Sequence, residues 1–188
     1  PTSPNPANQV QDPLALQHTE SKFQISLKTK IAENLIGNNG DLWFGYTQSS
    51  RWQVYNQDQS RPFRETNYEP EIMFTWRASW KEFAETTGWS PRMLGLSLNH
   101  QSNGRAQPLS RSWNRLIGMV GLERKNTLFQ VRPWVRLREN LKDDDNPNIS
   151  DTMGRVDYLL VHKAGGHEFS LLARHNNRFN RDSKGAVQ

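Results

Sequence analysis

The sequence predicts an all-β, antiparallel architecture of the transmembrane β-barrel kind. Three features point there. Apolar and polar side chains alternate strictly along the chain. Several alternating runs reach about ten residues, the length that crosses a bilayer when tilted and longer than the roughly five or six usual in soluble sheets. Mean hydropathy is only −0.87, yet 10% of the 188 residues are aromatic, with seven Trp. Disordered chains are poor in aromatics, so this mixture suits a sheet with one apolar face and one very polar face.

Residues 1–21 are rich in Pro, Asn and Gln, show no period, and read as an N-terminal arm or loop; residues 22–188 carry the strands. Side chains two apart share a face of a strand. In "KFQISLKTKI", Phe23, Ile25, Leu27, Thr29 and Ile31 therefore oppose Lys22, Gln24, Ser26, Lys28 and Lys30. The next stripes are Leu42, Phe44, Tyr46, Gln48, Ser50, Trp52 and Val54, then Ile72, Phe74, Trp76, Ala78 and Trp80, then Leu94, Leu96, Leu98, His100 and Ser102. Further on, Phe129, Val131, Val135 and Leu137 oppose Gln130, Arg132, Arg136 and Arg138, and Phe169, Leu171 and Ala173 oppose Glu168, Ser170 and Arg174. Turn signals separate the runs: "GNNGD", "TTGWSP", "DDDNPN" and "AGG". The count is about eight to nine strands, and no amphipathic helix rivals them.

Two architectures accommodate this pattern. A soluble sandwich hides its apolar faces inside, whereas a membrane barrel turns them to lipid and gives the polar faces to its lumen. Strand length and Trp and Tyr near strand ends, where interfacial girdles form, favour the barrel. The loops "NQDQSRPFRETNYEP" and "RENLKDDDNPNIS" are long and charged beside the short turns, as in barrels whose long loops face outward.

The chain contains no cysteine, which excludes disulfides, thiolate metal sites and cysteine nucleophiles. No apolar run is long enough for a transmembrane helix. The formal charge is +5, but Lys and Arg are spread along many strands and no nucleic-acid motif is present, so nucleic acid is not an expected partner.

The stretch "NHQSNGRAQPLSRSWNR", residues 99–115, holds the candidate chemistry. Parity places His100 and Ser102 on the apolar face of their strand, beside Leu94, Leu96 and Leu98. For an enzyme acting on membrane lipid that is a suitable position, because the ester bonds of a phospholipid lie just beyond the hydrocarbon. A serine hydroxyl needs a neighbouring base, and the base needs a third group to hold its tautomer. Asn114 can supply the third group from the adjacent strand after a hairpin at 103–110.

The segments "NHQSNGR", "PLSRSWNR" and "SRPFRETNYEPE", with "FGYTQSSRWQ" and "DDDNP", strongly resemble outer-membrane phospholipase A of Gram-negative bacteria, from about residue 20 to the end. The resemblance implies a twelve-stranded outer-membrane barrel, represented here without its first and last strands. It implies calcium-dependent hydrolysis of phospholipids and lysophospholipids, with A1 and A2 activity, by an outward-facing triad near the outer rim, activated by homodimerisation. Matching motif to motif, Ser102 corresponds to the nucleophile, His100 to the base and Asn114 to the orienting residue. Calcium would be held by the main-chain carbonyls of Arg105 and Ser110, with Ser60 contributed by the other subunit. Gln48, an amide on the lipid face, corresponds to a dimer-interface glutamine; the alternative from the residues alone is a rim position. Gln107 stands where some relatives carry an acid of a second calcium arrangement, whose other acid matches Asp145, so that arrangement is not expected. The alternatives are a catalytically silent, porin-like barrel and a soluble lectin-like sandwich.

Overall fold

The computed structural model describes residues 15–106, 109–140, 144–178 and 182–187. Nine antiparallel strands form one sheet in the order of the chain: β1 (Ser21–Ala32), β2 (Asp41–Trp52), β3 (Phe63–Arg77), β4 (Ser90–Ser102), β5 (Ser112–Arg124), β6 (Thr127–Leu137), β7 (Val156–Ala164), β8 (His167–His175) and β9 (Gly185–Val187). Two short helices lie in connections, α1 (Lys81–Thr87) before β4 and α2 (Ile149–Met153) before β7. Every strand pairs with its neighbour in sequence, so the fold is a pure meander, half of a barrel wall.

The burial pattern decides between the two architectures. Along β4, Leu96 and Leu98 are 52% and 57% exposed, whereas Ser97 and Asn99 between them are 3% and 4% exposed. Ile25, Leu27, Val135 and Phe169 are likewise more than half exposed. The apolar residues lie outside and the polar ones inside, the arrangement of a sheet whose outer solvent is hydrocarbon. No helix among the described residues is long and apolar enough to cross a membrane.

The concave side is more apolar than the alternation implies. Met73, Trp113, Ile117, Met119 and Trp134 form a buried cluster there, with Trp43, Met93, Ile149 and Met153 packed against it. Trp113 and Trp134 meet edge to face with centroids 5.2 Å apart. The Arg115 guanidinium sits over both rings, 4.4 Å and 5.4 Å from their centroids. It also donates to Asn99 Oδ1 and to Glu69 Oε2. Arg132 pairs with Glu71, Arg174 with Asp157 and Arg136 with Asp144. Several basic residues are thus neutralised by carboxylates rather than gathered into a patch.

Several sequence expectations change. Trp80 leaves the stripe drawn through Ile72 to Trp80: β3 stops at Arg77 and Trp80 precedes α1. That connection, expected to be a turn at "TTGWSP", contains a helix because Gly88 at φ 73° ends it in the left-handed conformation and donates its N–H to Ala84 O. Val54 likewise lies beyond β2, whose register shifts at Arg51/Trp52. Part of the arm is also pinned. Gln53 accepts from the Gln17 N–H at 2.7 Å and donates to Gln17 O at 3.3 Å, Asn56 donates to Ala15 O, and Glu20 takes a two-pronged bond from Arg64, both at 2.7 Å.

Candidate active site

The register of β4 and β5 sets His100 directly opposite Asn114. Both side chains lie on the convex face, since their neighbours Asn99, Gln101 and Arg115 are buried on the other. His100 Nδ1 and Asn114 Oδ1 are hydrogen-bonded at 2.8 Å. Ser102 follows on the same face at the end of β4, half-buried, opposite Ser112 on β5 and Tyr68 on β3. Among the described residues no hydrogen bond reaches the Ser102 hydroxyl, so histidine and amide are joined here and the serine stands beside them. Apo catalytic sites often show such looseness.

Asn114 has a second partner that the sequence reading missed: its Nδ2 donates to Glu139 Oε1 at 2.8 Å. A signal for it existed. Leu137 of β6 is the register partner of Asn114, and the outward parity of Val135 and Leu137 continues to Glu139. Beside the pair lies a cleft of about 320 Å³ whose walls include Pro70, Ile72, Leu98 and Leu137. An aliphatic chain fits such a lining.

The loop after β4 is organised by another overlooked residue, Asn103, which is 6% exposed. Its Oδ1 accepts from the backbone of Arg105 and Arg111, and its Nδ2 donates to Leu109 O. Arg105 donates from its side chain to the carbonyls of Phe63 and Arg64, tying this loop to the start of β3. Ser110 donates to the Asp145 carboxylate, and its carbonyl accepts from Arg111. Asp145 is 3% exposed and also accepts from Ser112. Gln107 lies outside the described residues.

No group of three His, Asp or Glu side chains that could hold a metal occurs among the described residues. The candidate calcium donors are of another type. The main-chain oxygens of Arg105 and Ser110 and a serine hydroxyl are all hard ligands, as calcium requires, and the first two stand in the loop that Asn103 braces. They fit the ion chemically but are too few for its usual six to eight oxygens. Ser60 lies in the exposed loop between β2 and β3, where Ser60 and Arg61 adopt φ 55° and 52°. No bond among the described residues joins Ser60 to the 103–111 loop of its own chain. Gln48 is half-buried on β2 between Ile25 and Tyr68. It is not wholly alone: its Oε1 accepts from Tyr46 OH at 3.4 Å.

A curved meander of long strands, apolar outside and polar within, with a histidine–amide pair and a serine on its convex side, is a segment of an outer-membrane-type β-barrel. The phospholipase A1 family model matches residues 1–188, and the chain belongs to that family. A Neisseria meningitidis relative is 45% identical over 167 residues, covering 87% of this chain and 43% of its own length. The solved structure of outer membrane phospholipase A from Escherichia coli aligns with a TM-score of 0.76 at 36% identity, over 89% of this chain and 66% of that one. A Salmonella typhi outer membrane phospholipase, solved as a dimer with bound calcium, aligns with a TM-score of 0.76 at 36% identity, over 89% and 62%. The chain spans about half the length of the curated relatives it matches.

Proposed function

We propose that this chain is the active-site-bearing part of a calcium-dependent outer-membrane phospholipase that cleaves acyl esters of phospholipids and lysophospholipids, at both acyl positions, as a homodimer. The observation that carries this reading is the 2.8 Å bond between His100 Nδ1 and Asn114 Oδ1 on the face that meets lipid, beside an aliphatic cleft.

An amide oxygen only accepts, so Nδ1 carries the proton and Nε2 keeps its lone pair. Ser102, two residues along the same strand face, is the group that Nε2 serves. As the Ser102 oxygen attacks the ester carbonyl carbon, its proton passes to Nε2. The tetrahedral intermediate collapses, the carbon–oxygen bond to the glycerol side breaks, and Nε2–H protonates the departing oxygen. Water then repeats the sequence on the acyl-serine, releasing fatty acid and restoring the hydroxyl. Asn114 holds the imidazole but, being neutral, stabilises imidazolium less than a carboxylate would.

Calcium is held in this reading by the main-chain oxygens of Arg105 and Ser110 with Ser60 of the partner subunit, and when bound it supplies positive charge near the developing oxyanion. The dimer of the Salmonella typhi relative and its bound calcium support both features. Gln48 is assigned to the dimer interface, where its amide N–H would find an acceptor across the two-fold axis. The active site faces outward near the outer rim, at the strand ends that carry the 53–62 and 103–111 loops.

The test uses the full-length protein folded in detergent or outer membrane. Ser102→Ala and His100→Ala abolish phospholipid hydrolysis and leave heat-modifiable barrel migration intact. Wild-type-like hydrolysis by Ser102→Ala would refute the assignment.

A further inference from the structure

We propose that Glu139 is a positioning residue for this site, acting through Asn114 to select the working tautomer of His100; the inference rests on the phospholipase reading above. An asparagine amide can present either end to a histidine. If Oδ1 faces Nδ1, the imidazole carries its proton on Nδ1 and Nε2 is a base. If the amide turns over, Nδ2 donates to Nδ1, the proton moves to Nε2, and no lone pair faces Ser102. The two arrangements satisfy the same pair of side chains, so the pair alone does not choose between them.

Glu139 makes the choice. An ionised carboxylate accepts and never donates. Its Oε1 lies 2.8 Å from Asn114 Nδ2, so turning the amide over would set an amide oxygen against a carboxylate oxygen. The charge-assisted bond favours one amide orientation, which places Oδ1 on His100 Nδ1. The chain of acceptors and donors runs Glu139, Asn114, His100, across the outer ends of β4 and β5 and the residues just after β6.

The surroundings of Glu139 argue against a role in stability alone. The inward acids Glu71, Asp144 and Asp157 each meet an arginine. Glu139 is half-buried, forms no ion pair among the described residues, and has the Asn114 amide as its hydrogen-bond partner. Its hydrogen bond among the described residues thus goes to the one amide whose orientation decides the His100 tautomer.

The experiment compares full-length wild type with Glu139→Ala, Glu139→Gln, Asn114→Ala and Asn114→Ala/Glu139→Ala, using a micellar lysophospholipid. Ser102→Ala serves as a control and heat-modifiable migration as the folding check. Glu139→Ala lowers kcat about tenfold, the factor expected for losing one such bond, with KM within about twofold. Glu139→Gln, which can still accept through its amide oxygen, recovers most of kcat. In the Asn114→Ala background, Glu139→Ala has no further effect. Nitrogen-15 NMR of His100 in the wild type shows the Nδ1-protonated tautomer, a readout that folding alone does not set. Wild-type kcat in Glu139→Ala, an equal loss in both backgrounds, a Gln variant as impaired as Ala, or the Nε2-protonated tautomer in wild type would each overturn the proposal. If Ser102→Ala remains active, the phospholipase assignment falls and this inference with it. If Ser102→Ala is dead while Glu139→Ala is unimpaired, this inference alone falls.

Discussion

At the scale of single residues, Asn114 supplies geometry and Arg115, next to it, supplies cohesion, each from an opposite face of β5. In the proposed reading, Asn114→Ala removes the acceptor for His100 Nδ1–H and leaves the proposed nucleophile and base in place. We expect kcat to fall by roughly tenfold or more while residual hydrolysis survives, whereas Ser102→Ala leaves none; steady-state kinetics on the folded variants separates the two. Arg115 is 4% exposed and bonds to Asn99 and Glu69 beneath two tryptophan rings. Arg115→Ala strands a buried amide and a carboxylate and removes the cation from over both rings, so it should cost roughly 3 kcal/mol. Urea unfolding of the refolded barrel measures this, and a loss below about 0.5 kcal/mol would show that water replaces the guanidinium at no cost. The roles of Arg115 and Asn103 were not legible beforehand, because parity gives the face of Arg115 and not its partner Glu69 two strands away, and it does not reach a loop residue such as Asn103.

At the scale of elements, the pinned arm and the β2–β3 loop form one unit, held by Glu20 against Arg64 and Arg51. The Arg64 guanidinium, opposed by the cost of burial and aided by Arg51 and Gln53, holds the Glu20 carboxyl well below its ordinary 4.5, at about 2. A carboxylate with a lowered folded-state pKa stabilises the structure fully above its unfolded value and loses that contribution as pH falls through the folded one. The clamp is therefore intact above about pH 4.5 and is lost between there and about pH 2. Because Arg51 and Arg64 are partly exposed, its worth is nearer 1–2 kcal/mol than the full shift implies. Glu20→Gln should raise hydrogen exchange at residues 53–62 near pH 7 and remove the change between pH 4.5 and 2; equal exchange in both proteins at all pH values would exclude the clamp. The strands themselves were readable, since each long alternating run from Lys22 to Arg174 became one. The α1 helix was not: "KEFAETT" is too short for periodicity to register beside Trp76 and Trp80, whose spacing continues the strand parity. The His100–Asn114 pairing was readable because a hairpin between known strands fixes register. Glu139 was missed although the parity of Val135 and Leu137 runs on to it, because parity gives the face of a side chain and not the hydrogen bond it makes to a neighbouring strand.

At the scale of the whole molecule, two couplings follow, one from the proposed shared calcium site and one from the open edges of the described sheet. If calcium is shared between Arg105 and Ser110 of one subunit and Ser60 of the partner subunit, it binds the dimer preferentially and stabilises it by mass action, about 2.7 kcal/mol at a calcium concentration a hundredfold above Kd. Chelation should then shift analytical-ultracentrifugation profiles of the full-length protein toward monomer and abolish hydrolysis together, and Ser60→Ala should weaken both responses; a calcium-saturated monomer as active as the dimer would refute the shared site. The second coupling concerns closure. In the described sheet β1 pairs only with β2, and β9 covers only Ala173–His175 of β8, so most of two strand edges bears N–H and C=O groups without strand partners. In hydrocarbon each such group costs several kcal/mol, and an open edge does not persist there. Leu27, Leu98 and Phe169 stand more than half exposed on the convex face, which suits hydrocarbon rather than water. Residues 1–188 expressed with a signal sequence should consequently show no heat-modifiable band and no calcium-dependent hydrolysis. The same residues within a longer chain that supplies strands against β1 and β8 should show both. A folded, active product from residues 1–188 alone would mean that the edges are satisfied in another way, by a second copy pairing β1 against β8, and crosslinking between cysteines introduced at Lys28 and Ser170 would reveal it.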